Sequence, residues 1–353
     1  MAIDPAIPAP SVRPGQGQAT AERKESAAGV ARPADLVLEG GGVKGIGLVG
    51  AILALDAAGF RFQRVAGTSA GAIAASLIAA LQAAGEPISR ITDIMSSIEY
   101  PKFMDRAVLG EPELAERLVV HRGLYNGMYL TEWLGGQLEK IGVTKFSQLR
   151  CTDAGLDSTL TDSQRYTLVV HTSDITRRRL ARFPWDYPYY GSDPDEQLIV
   201  DAVRASMSIP FFFEPVRFDA TAATVNGVCF PEETVTLVDG GILSNFPIEV
   251  FDRADGVAAR WPTIGIKLSG QQTVMPVSHD RDNLIGETID CLKTVLDNVD
   301  RYYLTPDKVA STIFVDNGGV STTDFHLTAD QQQLLLKNGR KAGDAYIASH
   351  PVV

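Results

Sequence analysis

The sequence is poor in several residue types that mark common protein classes. Three cysteines stand in 353 residues, Cys151, Cys229 and Cys291, odd in number and far apart. No pair has zinc-ligand or redox spacing, so no disulfide framework is expected and a reducing compartment is the better fit. Basic residues are outnumbered, 32 Lys and Arg against 43 Asp and Glu, for a net charge of −11. That balance argues against nucleic acid as a partner and gives no bulk attraction to an anionic membrane. No stretch approaches the roughly 18 uninterrupted apolar residues of a membrane span. The first residues hold no apolar core of a secretory signal. A cytoplasmic protein, peripheral where it meets a membrane, is the expectation, with signal-independent secretion left open. Acidic residues are not clustered at calcium-loop spacing. Histidine is scarce, at five, which narrows the choice of general bases.

What is present can bury a sizeable core, with 45% hydrophobic residues. The length permits one large domain or two ordinary ones. Residues 1–33 are rich in Ala, Pro and Gly without apolar period, and read as a disordered tail. Order is expected from Asp35–Leu38, a short buried strand. A glycine-rich turn follows, then a helix from Leu48 to Ala58 that is apolar nearly all round. Next come a strand from Phe62 to Ala66, a tight turn, and an apolar helix from Ala72 to Ala84. Two strand–turn–helix units in succession predict a parallel sheet with helices packed on it. Further helices are expected over Ile88–Met104, Glu113–Val120, Leu130–Ile141, Gln197–Ser206, Leu284–Tyr303 and Thr328–Ala348. Strands are expected at Tyr166–His171, Arg178–Phe183, Thr236–Val238, Ile264–Leu268 and Ser311–Val315.

The second tight turn is Gly67-Thr68-Ser69-Ala70-Gly71, a G-x-S-x-G pentapeptide between strand and helix. That context suits a nucleophile elbow, a sharp turn that projects one serine and leaves no room for side chains beside it. The helix starting after Ser69 turns its free N–H groups and positive dipole end toward the serine. The first turn, Glu39-Gly40-Gly41-Gly42-Val43-Lys44-Gly45, has three readings. As G-x-G-x-x-G it matches a dinucleotide fingerprint, yet the second strand ends at Arg64-Val65-Ala66-Gly67-Thr68, without the acidic residue that fingerprint wants. It also reads as a plain turn, or as an oxyanion hole whose backbone N–H groups face a substrate carbonyl. Ser69 needs a base. Chain order allows a triad of Ser69, Asp239 and His326. The alternative base is Asp239 itself, at the end of an apolar strand and followed by Gly240 and Gly241. An ordinary Asp is a weak base for a serine, so a direct dyad requires desolvation or a short contact.

Taken together, Glu39–Gly45, Gly67–Gly71 and Asp239–Gly241 resemble the patatin-like phospholipases. Ala205-Ser-Met-Ser-Ile-Pro-Phe211 and Phe213-Glu-Pro-Val216 look like the same family. The resemblance covers Asp35 to Glu249 well, which sets a catalytic core at 34–252. Residues 253–353 either complete that domain or form a cap. The resemblance implies an α/β fold with a mostly parallel central sheet sandwiched by helices. It implies a Ser–Asp dyad of Ser69 and Asp239, with the Gly40, Gly41 and Gly42 backbone as oxyanion hole and no metal or cofactor. Lys44 takes the basic position of the glycine motif, and Glu39 stands where the family usually has Asp. The implied activity is lipid acyl hydrolysis of a phospholipid or other lipid ester at a membrane surface. Acyl transfer on the same site, and a non-enzymatic nucleotide- or lipid-binding module, are the alternatives. An enzyme that attacks membranes needs restraint in its own cell, which predicts a regulatory partner of unknown kind. The aromatic loop Phe183–Tyr190 reads as an interfacial segment or as core. Phe211–Phe213 reads as acyl-pocket lining or core. Arg177–Arg179 reads as a lipid-phosphate contact or a solvated strand end. Lys44 either contacts phosphate or neutralises a nearby carboxylate.

Overall fold

A computed structural model describes residues 31–104, 117–151, 160–253, 255–268, 304–320 and 325–350. The expected tail up to residue 30, the expected helix Leu284–Tyr303 and the first part of Glu113–Val120 lie outside the described residues. The strands are β1 (Arg32–Leu38), β2 (Phe60–Thr68), β3 (Gly123–Tyr125), β4 (Leu168–Asp174), β5 (Arg179–Phe183), β6 (Phe211–Phe213), β7 (Val216–Ala220), β8 (Ala223–Val225), β9 (Val228–Phe230), β10 (Glu233–Asp239), β11 (Thr263–Lys267) and β12 (Thr312–Phe314). The helices are α1 (Ile46–Ala57), α2 (Ala70–Ala83), α3 (Arg90–Ser96), α4 (Met128–Ile141), α5 (Ile199–Ser206), α6 (Pro306–Ala310) and α7 (Ala329–Ser349). The first strand begins at Arg32, earlier than the expected end of the tail, because Arg32 and Pro33 already pair with Phe60 and Arg61.

The fold is mixed α/β, a central sheet flanked by helices. Its order is β12-β11-β1-β2-β4-β10-β7, with β5 on β4. The pairings from β12 through β4 are parallel, and β10, β7 and β5 join antiparallel. Strands covered on both faces read as continuous apolar runs. In β1, Leu36, Val37 and Leu38 are all fully buried. Asp35 and Arg64, opposite each other on β1 and β2, form a buried ion pair with two Nε contacts of 3.1 Å. Two strands after residue 252 belong to the sheet, since β11 lies beside β1 and β12 beside β11.

The all-round apolar character of α1 follows from its neighbours. One side faces the sheet and another faces α7, and every residue of the helix is buried except Leu53, Asp56 and Ala57. Contact with α7 is so close that backbone meets backbone. A Cβ on Gly50 would stand 2.1 Å from the Leu336 carbonyl oxygen, and one on Gly339 2.0 Å from that of Gly47. The expected helix Ile88–Met104 is shorter, ending at Ser96, with a separate 3-10 turn at Tyr100–Phe103. Pro101 explains the break, because in a continued α-helix its ring would clash with the Ser97 carbonyl and it has no N–H to bond there.

Three segments had two readings each, a lipid contact or an ordinary structural place. The loop Phe183–Tyr190 is core. Phe183 stacks on Tyr187, Trp185 packs edge-on against Phe251, and Tyr190 donates to Asp174 at 2.9 Å. Its aromatics turn inward because β4, β5 and β7 present apolar partners such as Phe218. Arg177 is held by Glu233 and by the carbonyls of Tyr189 and Pro231, and Arg179 by Asp186. Both are structural ion pairs. The phenylalanine run divides, with Phe211 exposed, Phe212 stacked on Phe325, and Phe213 buried.

Candidate active site

β2 ends at Thr68 and α2 begins at Ala70, so the whole change of direction falls on Ser69. Its φ of 52° and ψ of −122° are costly for a residue with a Cβ, by about 1–3 kcal/mol. The turn closes only with glycines at both ends. A Cβ on Gly67 would lie 2.2 Å from the Gly71 carbonyl oxygen, and one on Gly71 2.3 Å from that of Leu38. The second distance also shows why the two glycine motifs meet. β1 and β2 run parallel with Leu38 opposite Gly67, so the turn leaving β1 lies against the elbow leaving β2. A Cβ on Gly40 would be 3.1 Å from Ser69 Cβ, and one on Gly45 3.2 Å from Ala70 Cβ.

Asp239 ends β10, which is separated from β2 by β4. Thr68 pairs with His171 and Asp239 with Thr172. Two strand spacings of about 4.8 Å would hold the residues ~10 Å apart. The Asp-Gly-Gly turn narrows that gap by crossing over β4 at His171, midway along the strand. A Cβ on Gly240 would lie 2.3 Å from the His171 carbonyl oxygen and 3.0 Å from Thr68 Cγ2. Only glycine permits that crossing, which brings the Asp239 carboxylate to Ser69.

Ser69 and Asp239 are both 4% exposed. One carboxylate oxygen of Asp239 accepts the Gly241 N–H at 2.8 Å, and the other, Oδ2, has no partner among the described residues. Burial raises the Asp239 pKa to about 7, opposed by the Gly241 N–H and the nearby Ser69 hydroxyl. In this rotamer the hydroxyl donates to Met207 Sδ at 3.4 Å. A buried carboxylate with a pKa near neutrality is a far better base than an ordinary Asp.

The glycine-rich turn is clamped by Asn245. The Gly40 N–H donates to the Asn245 carbonyl at 3.0 Å, and Asn245 Nδ2 donates to the Gly40 carbonyl at 3.0 Å. The Gly40 N–H is therefore spent, a correction to its expected place among the oxyanion donors. Among the described residues the N–H groups of Gly41 and Gly42 donate to nothing. Gly42, at φ 55°, opens the short 3-10 turn that carries half-buried Lys44. The Glu39 carboxylate binds Lys267 Nζ and the Leu268 N–H, which ties the turn to β11.

His326 is exposed in the turn before α7, unlike Ser69 and Asp239. His171 is fully buried under the elbow, and burial pushes its pKa down to about 3, so it stays neutral at working pH. Among the described residues no three His, Cys, Asp or Glu side chains are grouped as a metal site requires. Residues to which sequence reasoning gave no role here are Asn245, Ser206 and Met207. The only prior signal for Asn245 was a polar pair, Ser244-Asn245, between apolar residues shortly after Gly241. Asn245→Ala removes the donor to the Gly40 carbonyl while the backbone bond remains. The expected result is a folded protein whose kcat for an ester is about 10- to 100-fold lower, with KM nearly unchanged. Steady-state kinetics on a chromogenic ester check it.

The family model for patatin-like phospholipases matches residues 36–252. The chain is 32% identical over 318 residues to the uncharacterized protein YqhO of Bacillus subtilis (strain 168), covering 89% of this chain and 97% of that one. It is 29% identical over 231 residues to Patatin-like protein 4 of Arabidopsis thaliana, covering 60% of this chain and 49% of the plant protein. Among solved structures, VipD from Legionella pneumophila aligns with a TM-score of 0.49 at 21% identity, over 91% of this chain and 67% of VipD.

Proposed function

The chain belongs to the patatin-like phospholipase family, and from that premise we propose that it is a lipid acyl hydrolase with Ser69 as nucleophile and Asp239 as base. The observation that carries this reading is the unpartnered Oδ2 of a buried Asp239 beside a serine on a strained elbow. Rotation of the Ser69 hydroxyl from Met207 to Oδ2 supplies the missing bond. Ser69 Oγ then attacks the ester carbonyl as Asp239 takes its proton. The oxyanion rests on the free N–H groups of Gly41 and Gly42, with the dipole of α2 adding to the stabilisation. Asp239 returns the proton to the leaving alcohol. Water, deprotonated by Asp239, then releases the fatty acid. The substrate is a phospholipid or another lipid ester presented at a membrane surface. Among the described residues no helix is long and apolar enough to cross a membrane, so contact with lipid is peripheral in this reading. A fluorophosphonate that labels wild type but not Ser69→Ala tests the assignment of the nucleophile, and unlabelled wild type counts against it.

The base assignment predicts a pH profile. Asp239 must be ionised, so kcat/KM rises through about pH 7 and then stays level, with no histidine limb above it. His171 does not contribute, being neutral throughout that range. Stability runs the other way. Between about pH 4 and 7 the folded protein holds the Asp239 proton that the unfolded chain has released, so stability falls as pH rises through that window. Asp239→Asn is therefore expected to be inactive yet more stable than wild type at pH 8, by on the order of 3 kcal/mol. Thermal unfolding at pH 5 and pH 8 checks it, and the gap should shrink at the lower pH.

A further inference from the structure

The segment Ala205–Phe211 has no part in the chemistry above, yet it touches both residues assigned to it. At the end of α5, Ser206 is fully buried and its hydroxyl joins two strands. It accepts the Ser69 N–H at 2.9 Å and donates to the His171 carbonyl of β4 at 2.6 Å. Ser208, two residues on, accepts the Asp239 N–H on its carbonyl at 2.9 Å. Between them Met207 Sδ accepts the Ser69 hydroxyl. One turn of chain therefore grips the backbone of Ser69 with one residue and the backbone of Asp239 with another.

The turn itself is held firmly. Arg204 donates to Ser208 Oγ at 2.6 Å, to the Asn126 carbonyl at 2.6 Å and to the Glu214 carbonyl at 3.0 Å. The anchorage thus reaches the end of β6 and the start of α4. Pairing of β2 with β4 continues to Thr68 opposite His171, and the chain then leaves the ladder at Ser69. The Ser69 N–H is buried there and would lack an acceptor without Ser206. The Ser206 hydroxyl acts as a spacer in the ladder, inserted between a strand N–H and the neighbouring carbonyl. It satisfies both groups while the elbow turns away.

We propose that Ser206 is a positioning residue. Its hydroxyl holds the Ser69 backbone in the elbow conformation and, through the shared turn with Ser208, fixes the reach from Ser69 to Asp239. The inference rests on the reading of those two residues as nucleophile and base. A residue acting this way affects the chemical step and leaves substrate binding alone, since its hydroxyl is spent on backbone groups.

The test compares wild type, Ser206→Ala and Ser206→Cys by kcat and KM on p-nitrophenyl butyrate, by the rate of fluorophosphonate inactivation, and by thermal unfolding. Ser206→Ala is expected to lower kcat and the inactivation rate together by about 100-fold, with KM within about twofold of wild type. Ser206→Cys keeps a side chain of similar size with a weaker acceptor, so it falls between, about tenfold below wild type. If Ser206→Ala does not fold, the cysteine variant carries the test by the same criteria. Wild-type kcat in either folded variant overturns the inference, as does a loss carried by KM with kcat intact. A wild-type protein inert to the fluorophosphonate is a different result, because it removes the hydrolase reading itself.

Discussion

Ser69→Ala is expected to lower ester hydrolysis by about 10⁴-fold or more while leaving the fold intact. The side chain is small and its hydroxyl donates to a thioether sulfur, so its removal leaves no cavity of consequence, and the loss of the hydroxyl that opposes the rise in the Asp239 pKa is met by keeping that carboxyl protonated. The positive φ of residue 69 is as awkward for alanine as for serine, so strain does not distinguish the two proteins. Asp239→Asn should lose nearly as much activity, because an amide cannot take the proton. If the two residues act as one device, their losses do not add. The double variant Ser69→Ala/Asp239→Asn should then be no slower than Ser69→Ala alone, to within about threefold. Additive losses, multiplying in rate, would mean that each residue contributes separately and would contradict the dyad. Rates for the four proteins on one soluble ester decide it.

The largest effect on stability is expected at the contact of α1 with α7. Gly339→Leu places a branched side chain where even a Cβ would lie 2.0 Å from the Gly47 carbonyl oxygen and 3.1 Å from the Ala51 N. Both neighbours are helix backbone, which cannot swing aside as a flexible side chain does. The helices must separate, and separation uncovers Leu335 and the residues of α1 packed beneath it. Loss of more than about 4 kcal/mol is expected, enough to leave a marginally stable domain largely unfolded. Gly136→Ala is the matched control. Gly136 lies inside α4 with open space where its Cβ would stand, so alanine there should stabilise by up to about 1 kcal/mol through helix propensity. Denaturant melts of both variants check the pair. A Gly339→Leu protein as stable as wild type would mean that α7 is not held against α1 as described. The same contact bears on β11, β12 and α7, which we take to belong to one folding unit with the catalytic core, because α7 packs on the first helix of that core.

The elbow was legible because it is local. Gly67 to Gly71 sits between an apolar strand and an apolar helix, and both the turn and the two glycines follow from chain geometry within a few residues. The meeting of the glycine-rich turn with Ser69 was legible for nearly the same reason, since β1 and β2 are consecutive strands of a parallel sheet. Asp239 was found by motif, yet what makes it fit for its proposed role is not in the motif. Its raised pKa comes from burial, and its approach to Ser69 comes from Gly240 crossing over His171. Neither can be read from residues 239–241 alone. The roles of Asn245 and Ser206 were missed because each works through a backbone group far away in sequence, Gly40 in one case and Ser69 in the other. An ordinary polar side chain gives no sign of such a partner. The aromatic loop was legible only as a choice between interfacial segment and core. Phe183, Trp185, Tyr187 and Tyr190 have the composition of an interfacial segment, and only the positions of β5, β7 and Phe251 turn them inward.

Fatty-acid release from mixed phospholipid vesicles, measured in parallel for wild type, Ser69→Ala and Asp239→Ala, decides whether Ser69 and Asp239 hydrolyse lipid together. Release by wild type, lost in both variants, is the expected result. Release that persists in Ser69→Ala, or that survives at the wild-type rate in Asp239→Ala, would contradict it.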